Sequence, residues 1–169
     1  ATVVAGDLRA HRARLVADNA AALGANVCTV QADGAAAPFR PASAQRVLVD
    51  APCSGFGVMH RRPDLRWRVA PEDPTNLAVL QGALLRSAAR LVVPGGTVVY
   101  SVCTLTRVEG RGVVEGFLAD HPGFEPTGAM ERPWQSDGHA WRLLPQAAGT
   151  DGMVLARLRR RTDTSVAAD

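Results

Sequence analysis

The chain has 169 residues, 47% of them hydrophobic, enough for one domain with a real core and no disulfide staples. Its net charge of +3 and pI near 9.2 give a mild basicity that suits a polyanionic partner without requiring one. No apolar run approaches the ~20 residues of a membrane span. The three cysteines, Cys28, Cys53 and Cys103, are widely spaced with no C-x-x-C pair, which argues against a structural zinc site.

With no secretory leader in the sequence, that cysteine usage points to a reducing, cytoplasmic compartment. All 19 basic residues are Arg, a compositional habit that acquires functional weight only where Arg clusters. The sequence opens on Thr2-Val3-Val4-Ala5-Gly6-Asp7, a buried-strand pattern ending in an acid. Residues 8–23 read as a helix with Leu8, Leu15, Val16 and Leu23 on one face and Gly24 as C-cap. Val27 to Val30 form a second short strand, closing at Asp33-Gly34, and Arg46 to Asp50 a third, again ending in an acid. A long loop rich in Gly, Pro and Arg follows from Ala51 to Pro71, a length that suggests function.

The spacing of Leu77, Leu80, Leu84, Leu85, Ala88 and Leu91 predicts a helix over 72–93, stopped by Pro94-Gly95-Gly96. Thr97 to Ser101 is a fourth strand, 108–119 a helix, and 153–158 a final strand before a polar tail from Arg159 that is expected to fray. The alternation predicts an α/β fold with a mostly parallel sheet and helices on both faces. Ligands in such sheets bind outside the carboxyl ends of the strands. Asp7, Asp33, Asp50 and Cys103 all fall there.

Asp7 stands where an acid can accept from ribose hydroxyls, or simply cap the following helix. Asp33-Gly34 reads as a plain turn. In Asp50-Ala-Pro-Cys53-Ser-Gly-Phe-Gly the proline fixes the turn and the glycines permit close backbone approach, so Cys53 sits on a constrained loop. No Gly-Lys-Ser/Thr follows, which excludes a phosphate loop. Cys103 lies between a strand and a helix, where the helix N-terminus and Arg107 would favour its thiolate; the alternative is a small buried hydrophobe. For Cys28, inside a strand, the buried hydrophobe is the expectation. His60 to Arg68 interleaves five Arg/His side chains with Trp67, a composition that suits single-stranded RNA through phosphate contacts and stacking, or a solvated basic loop.

Two segments together resemble a known family. Asp50-Ala-Pro-Cys-Ser-Gly with the following Arg-Arg-Pro-Asp-Leu-Arg-Trp is similar to the fourth motif of Sun-type RNA cytosine-5 methyltransferases, and Tyr100-Ser-Val-Cys-Thr-Leu with Glu109 to their sixth. Leu143-Leu-Pro and Gly149-Thr-Asp-Gly-Met153 resemble their closing segment. The likeness runs to about residue 160 and is nearest the bacterial branch acting on small-subunit ribosomal RNA. It implies a Rossmann-like S-adenosylmethionine-dependent methyltransferase domain over 1–160 and a disordered tail over 161–169. It implies that Asp7 binds the cofactor ribose, that Asp33 lies beside the adenine, and that Asp50 lies near the methionine end and the target base. Cys103 would be the nucleophile, Cys53 would assist product release, and Arg61, Arg62, Arg66 and Trp67 would meet RNA. Val102 stands where the family has Thr, and Met153-Val154 replace an aromatic pair. The family's Gly-rich first motif is expected before Ala1, so the sheet in this chain would lack its first strand and the chain alone would be inactive.

Two other function classes compete. A DNA cytosine methyltransferase would use Cys53 as nucleophile, and a non-catalytic RNA-binding module would use neither thiol. A thiol hydrolase fits less well, because no histidine occupies an obvious partner position.

Overall fold

Strand periodicity and helix periodicity alternate along the chain, and a computed structural model describing residues 2–162 follows that alternation. The elements are β1 (Val3–Asp7), α1 (Ala10–Ala22), β2 (Val27–Gln31), β3 (Ala44–Asp50), α2 (Leu65–Arg68), α3 (Asp73–Leu91), β4 (Val92–Val102), α4 (Val113–Asp120), β5 (Phe124–Pro126), β6 (Gln135–Asp137), β7 (Ala140–Leu143), α5 (Pro145–Ala148) and β8 (Met153–Arg160). Short 3-10 turns occupy Gly34–Ala36 and Phe56–Val58, and a π-helical turn occupies Val108–Gly112.

The fold is α/β as the sequence predicts, but its sheet is mixed and divided. β1 and β2 form a separate parallel pair, while β3 and β4 pair in parallel within a six-stranded sheet ordered β3-β4-β8-β7-β6, with β5 also on β8. Every pairing made by β8, and that of β6 with β7, is antiparallel. The expectation of a mostly parallel sheet fails in its second half. β6 and β7 are joined only by Gly138-His139, and β7 and β8 only by residues 144–152, too short for the crossovers that parallel neighbours need.

The core lies around β4, where Val98, Tyr100 and Val102 are fully buried against Leu85, Ala88 and Ala89 of α3, Val114 and Phe117 of α4, and Val154, Ala156 and Leu158 of β8. Val154, one of the two residues replacing the family's aromatic pair, is therefore a core residue. Pro74 in its first turn, Asp73 near its N-terminus and Arg90 in its last turn fit α3 to its length. Its stripe is buried at Leu85, Ala88 and Leu91, half-buried at Leu77 and Leu84, and exposed at Leu80.

Four further expectations are corrected. Pro94-Gly95-Gly96 does not precede the strand but lies inside β4, as an irregularity where the register on β3 shifts between Ala44 and Arg46. Gly95 takes φ +79°, and a Cβ on Gly96 would lie 2.7 Å from the Gln45 carbonyl oxygen, so the bulge needs both glycines. Arg159 and Arg160 do not fray: they extend β8, and Arg160 donates to the Val92 carbonyl at 2.7 Å. The backbone of Arg161 donates to the Gly123 carbonyl, and residues 163–169 of the expected tail lie outside the described residues. The apolar face of α1 is not buried: Leu15 and Leu23 are 58% and 84% exposed. Cys28 is likewise exposed rather than buried. Only one face of β3 is covered, since Val49 is buried while Leu48 is 68% exposed.

Candidate active site

The carboxyl ends of β3 and β4 form a rim where three loops are stitched together by backbone hydrogen bonds. Ala51 N–H donates to the Ser101 carbonyl (3.0 Å), Gly57 N–H to the Cys103 carbonyl (3.0 Å), and Gly152 N–H to the Gly57 carbonyl (2.8 Å). Gly57 is the node. A Cβ there would lie 2.0 Å from the Gly152 oxygen and 2.9 Å from the Cys103 oxygen, so no side chain fits. Gly55 at φ +74° turns the first loop back over Leu65.

This stitching brings Cys53 Sγ to 3.3 Å from Cys103 Sγ. The two thiols share one hydrogen bond and separate in acidity. The bond donated by Cys53 is the largest influence on Cys103, whose pKa falls from 9.0 to about 7 against the opposing effects of burial and of the Asp50 and Asp151 charges. The same bond, then burial, then the Cys103 charge push Cys53 far up. The first proton to leave the pair therefore leaves Cys103. Among the side chains around Cys103, the partner thiol is the largest influence that lowers it.

Beneath the thiols lies a polar cluster that the sequence reading missed. Glu109 is fully buried, and its Oε1 accepts from Ser54 N–H (2.8 Å) and from Gln81 Nε2–H (3.1 Å). Its Oε2 accepts from the hydroxyls of Ser54 (2.6 Å) and Thr106 (2.8 Å), with the Thr104 hydroxyl 3.1 Å away. Gln81 also donates to the Pro52 carbonyl (2.8 Å), and the Tyr100 hydroxyl donates to the Glu109 carbonyl (2.6 Å). Burial, then the charges of Glu109 and Cys53, hold the Tyr100 hydroxyl well above the usual tyrosine range. One signal was available: Gln81 lies four residues after Leu77 and four before Leu85, which puts an amide on the apolar stripe of α3.

The acids are more dispersed. Asp50 is exposed at the end of β3, paired in register with Ser101, and its charge is felt at Cys103. Asp7 and Asp33 end the two strands of the separate pair. Asp7 Oδ1 accepts from Arg9 N–H (2.7 Å) and Asp33 Oδ1 from Ala35 N–H (2.9 Å), so each caps a turn with one oxygen. No hydrogen bond to either second oxygen is formed among the described residues, and each remains available to a ribose hydroxyl or an adenine amine. That pair of acceptors fits the ribose and adenine of S-adenosylmethionine.

In the Arg-rich loop, Arg61 is bound by both its Nε (2.8 Å) and a terminal nitrogen to the Asp151 carboxylate. Asp151 also lies 3.5 Å from His60 Nε2, and its pKa is lowered, chiefly by the hydrogen bond from Arg61. Arg62 and Arg68 flank Asp64 at 3.7 and 3.3 Å. Trp67, on the single turn of α2, is 90% exposed. Arg66 precedes it, exposed and with no ion pair among the described residues.

Residues 1–159 match the family described as 16S rRNA methyltransferase RsmB/F. The chain belongs to that family. It is 39% identical over 170 aligned residues to the probable ribosomal RNA small subunit methyltransferase B of Bacillus subtilis, covering 95% of this chain and 38% of that protein. It is 47% identical over 121 residues to the ribosomal RNA small subunit methyltransferase B of Thermus thermophilus, covering 71% of this chain and 30% of that one. Among solved structures, NSun6 from Pyrococcus horikoshii with SFG superposes with a TM-score of 0.84 at 29% identity, over 96% of this chain and 42% of that chain. The chain thus has the Rossmann-like fold of S-adenosylmethionine-dependent methyltransferases and spans less than half the length of these relatives. No helix among its described residues is long and apolar enough to cross a membrane.

Proposed function

We propose that this domain methylates C5 of a cytosine in small-subunit ribosomal RNA, in the cytoplasm, through a covalent bond between Cys103 and C6. Residues 1–160 form the part of the catalytic domain present in this chain. The observation that carries the reading is the 3.3 Å contact between the Cys53 and Cys103 thiols at the carboxyl ends of β3 and β4. Asp7 and Asp33 would hold the ribose and adenine of S-adenosylmethionine, and Asp50 would lie toward its methionine end. The bound cofactor supplies an electrophilic methyl group.

Cytosine C5 is a weak nucleophile. Addition of the Cys103 thiolate to C6 forms an S–C bond and moves the C5–C6 electron pair onto C5 and toward N3, which makes C5 nucleophilic. Asp50 is the candidate group near N3 or the exocyclic amine that would stabilise the charge developing there. The reverse, release step needs a base to take the C5 proton while the S–C bond breaks. Cys53 is suited to act late. The hydrogen bond and charge that hold it protonated both come from the Cys103 thiolate. Once Cys103 is tied up as a thioether, burial alone remains to oppose its ionisation. This ordering supports Cys103, not Cys53, as the nucleophile, against the DNA-type alternative.

Arg66 and Trp67 offer an exposed guanidinium and an exposed ring to an unstacked strand, and the target base must leave its stack to reach the thiols. The test is a pair of substitutions in a protein of the relatives' full length carrying this domain. Cys103→Ala should abolish methyl transfer. Cys53→Ala should accumulate a Cys103–RNA adduct that survives denaturing electrophoresis. An adduct from Cys103→Ala and none from Cys53→Ala reverses the roles.

A further inference from the structure

Glu109 makes no hydrogen bond to either thiol among the described residues, yet its one carboxylate joins three separate segments of chain. It accepts from Ser54 in the loop that carries Cys53, from Thr106 in the loop that carries Cys103, and from Gln81 on α3. The neighbours of the two cysteines are also tied to each other, Ser54 Oγ to Thr104 Oγ1 at 2.9 Å. The carboxylate and the side chains around it are largely withdrawn from solvent: Ser54 is 4% exposed, Gln81, Thr104 and Glu109 itself are fully buried, and Thr106 is half-buried. A buried carboxylate saturated by five neighbouring donor groups has no lone pair left for a substrate, and so cannot serve as a base.

Its backbone is unusual in the same place. Glu109 lies in the π-helical turn Val108–Gly112, closed by Gly112 N–H to the Arg107 carbonyl at 2.8 Å. The extra residue in that turn changes the direction in which the Glu109 side chain leaves the helix, and such turns recur at functional sites. Tyr100, from the centre of β4, pins the Glu109 carbonyl from below. Glycine at 110 lets the turn lie directly on β8, where a Cβ would meet Val154 at 3.1 Å.

We infer that Glu109 is a positioning residue: its carboxylate clamps the Ser54 and Thr104–Thr106 segments together and thereby sets the contact between the Cys53 and Cys103 thiols. The inference rests on the proposed function in giving that contact a catalytic meaning, but the geometry it asserts is independent of methyl transfer. Loosening the clamp lets the two loops part. The hydrogen bond between the thiols is then lost, and with it the acidity of Cys103.

The experiment is alkylation of the 169-residue chain by iodoacetamide as a function of pH, in a Cys28→Ser background, with each site read by peptide mass mapping. The parent should show a Cys103 midpoint near 7. Glu109→Gln keeps the size of the side chain but replaces one acceptor oxygen with an amide NH2, which cannot accept from the donors that face it. Its Cys103 midpoint should rise toward the ordinary 9.0, with a rate at pH 7 about tenfold lower or more. A role in stability alone would lower the thermal midpoint and leave the thiol profile where it was. An unmoved Cys103 midpoint in folded Glu109→Gln, judged by circular dichroism, overturns the clamp. Should that variant not fold, Ser54→Ala and Thr106→Ala, each removing one hydroxyl, decide: raised midpoints support the clamp and two unmoved ones overturn it. The failure of the catalytic reading is seen elsewhere, in a Cys103→Ala enzyme that still methylates.

Discussion

A thiol that ionises near neutrality usually owes its acidity to a histidine, a metal or a helix end. Cys103 owes it to another cysteine. The pH dependence follows from that pairing. Between about pH 7 and 9 Cys103 is the thiolate and Cys53 the thiol, so a limiting amount of alkylating reagent should modify Cys103 first, and little of either below pH 6. Removing Cys103 removes both the hydrogen bond and the charge that raise Cys53. In Cys103→Ala the alkylation midpoint of Cys53 should therefore fall, and a midpoint still strongly alkaline would contradict the shared-proton account. Gly57 makes the same rim fragile to added volume. Gly57→Ala forces a methyl against two carbonyl oxygens and should cost about 1–3 kcal/mol or more in chemical denaturation.

At the scale of elements, α3 links the core to the site, because it carries Leu85 into the hydrophobic cluster and Gln81 into the polar one four residues earlier. Leu85→Ala should cost about 2–5 kcal/mol and lower the melting temperature by roughly 5–15 °C, since the site is fully enclosed and cannot collapse around the void. The loop after Val58 is a different kind of element, held to the rim by Arg61 on Asp151 and presenting Arg66 and Trp67 outward. Arg61 therefore has a structural task beside any phosphate contact. Replacing Arg61, Arg62 and Arg66 together should weaken RNA binding and reduce its salt dependence, each lost phosphate contact lowering the log–log slope by about 0.7–0.9. Trp67→Ala should weaken binding by about 1–3 kcal/mol with the slope unchanged, the signature of lost stacking. Unchanged affinity in both would leave a solvated basic loop.

For the whole molecule the decisive feature is that the cofactor acids belong to two sheets. Asp7 and Asp33 end the β1–β2 pair, Asp50 ends β3 in the six-stranded sheet, and among the described residues no strand pairs with the remaining edge of either β1 or β3. A cofactor held by all three would span that open interval. The 169-residue chain should accordingly bind S-adenosylmethionine weakly, and micromolar affinity in a calorimetric titration would show that the interval matters little. The same edges carry exposed Val3, Val4 and Leu48, which should make the chain self-associate with rising concentration in sedimentation measurements.

The sequence alone determined the α/β class, the order and approximate bounds of the longer elements, and the strand-end positions of the acids and of Cys103. These are properties of local periodicity and turn chemistry, which nearby residues dictate. The motifs around Cys53 and Cys103, with the closing segment, also indicated the family to which the chain belongs. Only the tertiary structure decided that the two thiols share a hydrogen bond, because that depends on a 3.3 Å contact between residues fifty positions apart. It alone showed the Glu109 cluster, whose members come from two loops, a helix and a strand, and the exposure of Cys28 and of the α1 stripe. Hydrophobic spacing says which face of an element seeks cover; whether another element arrives to cover it is settled by how the whole chain packs.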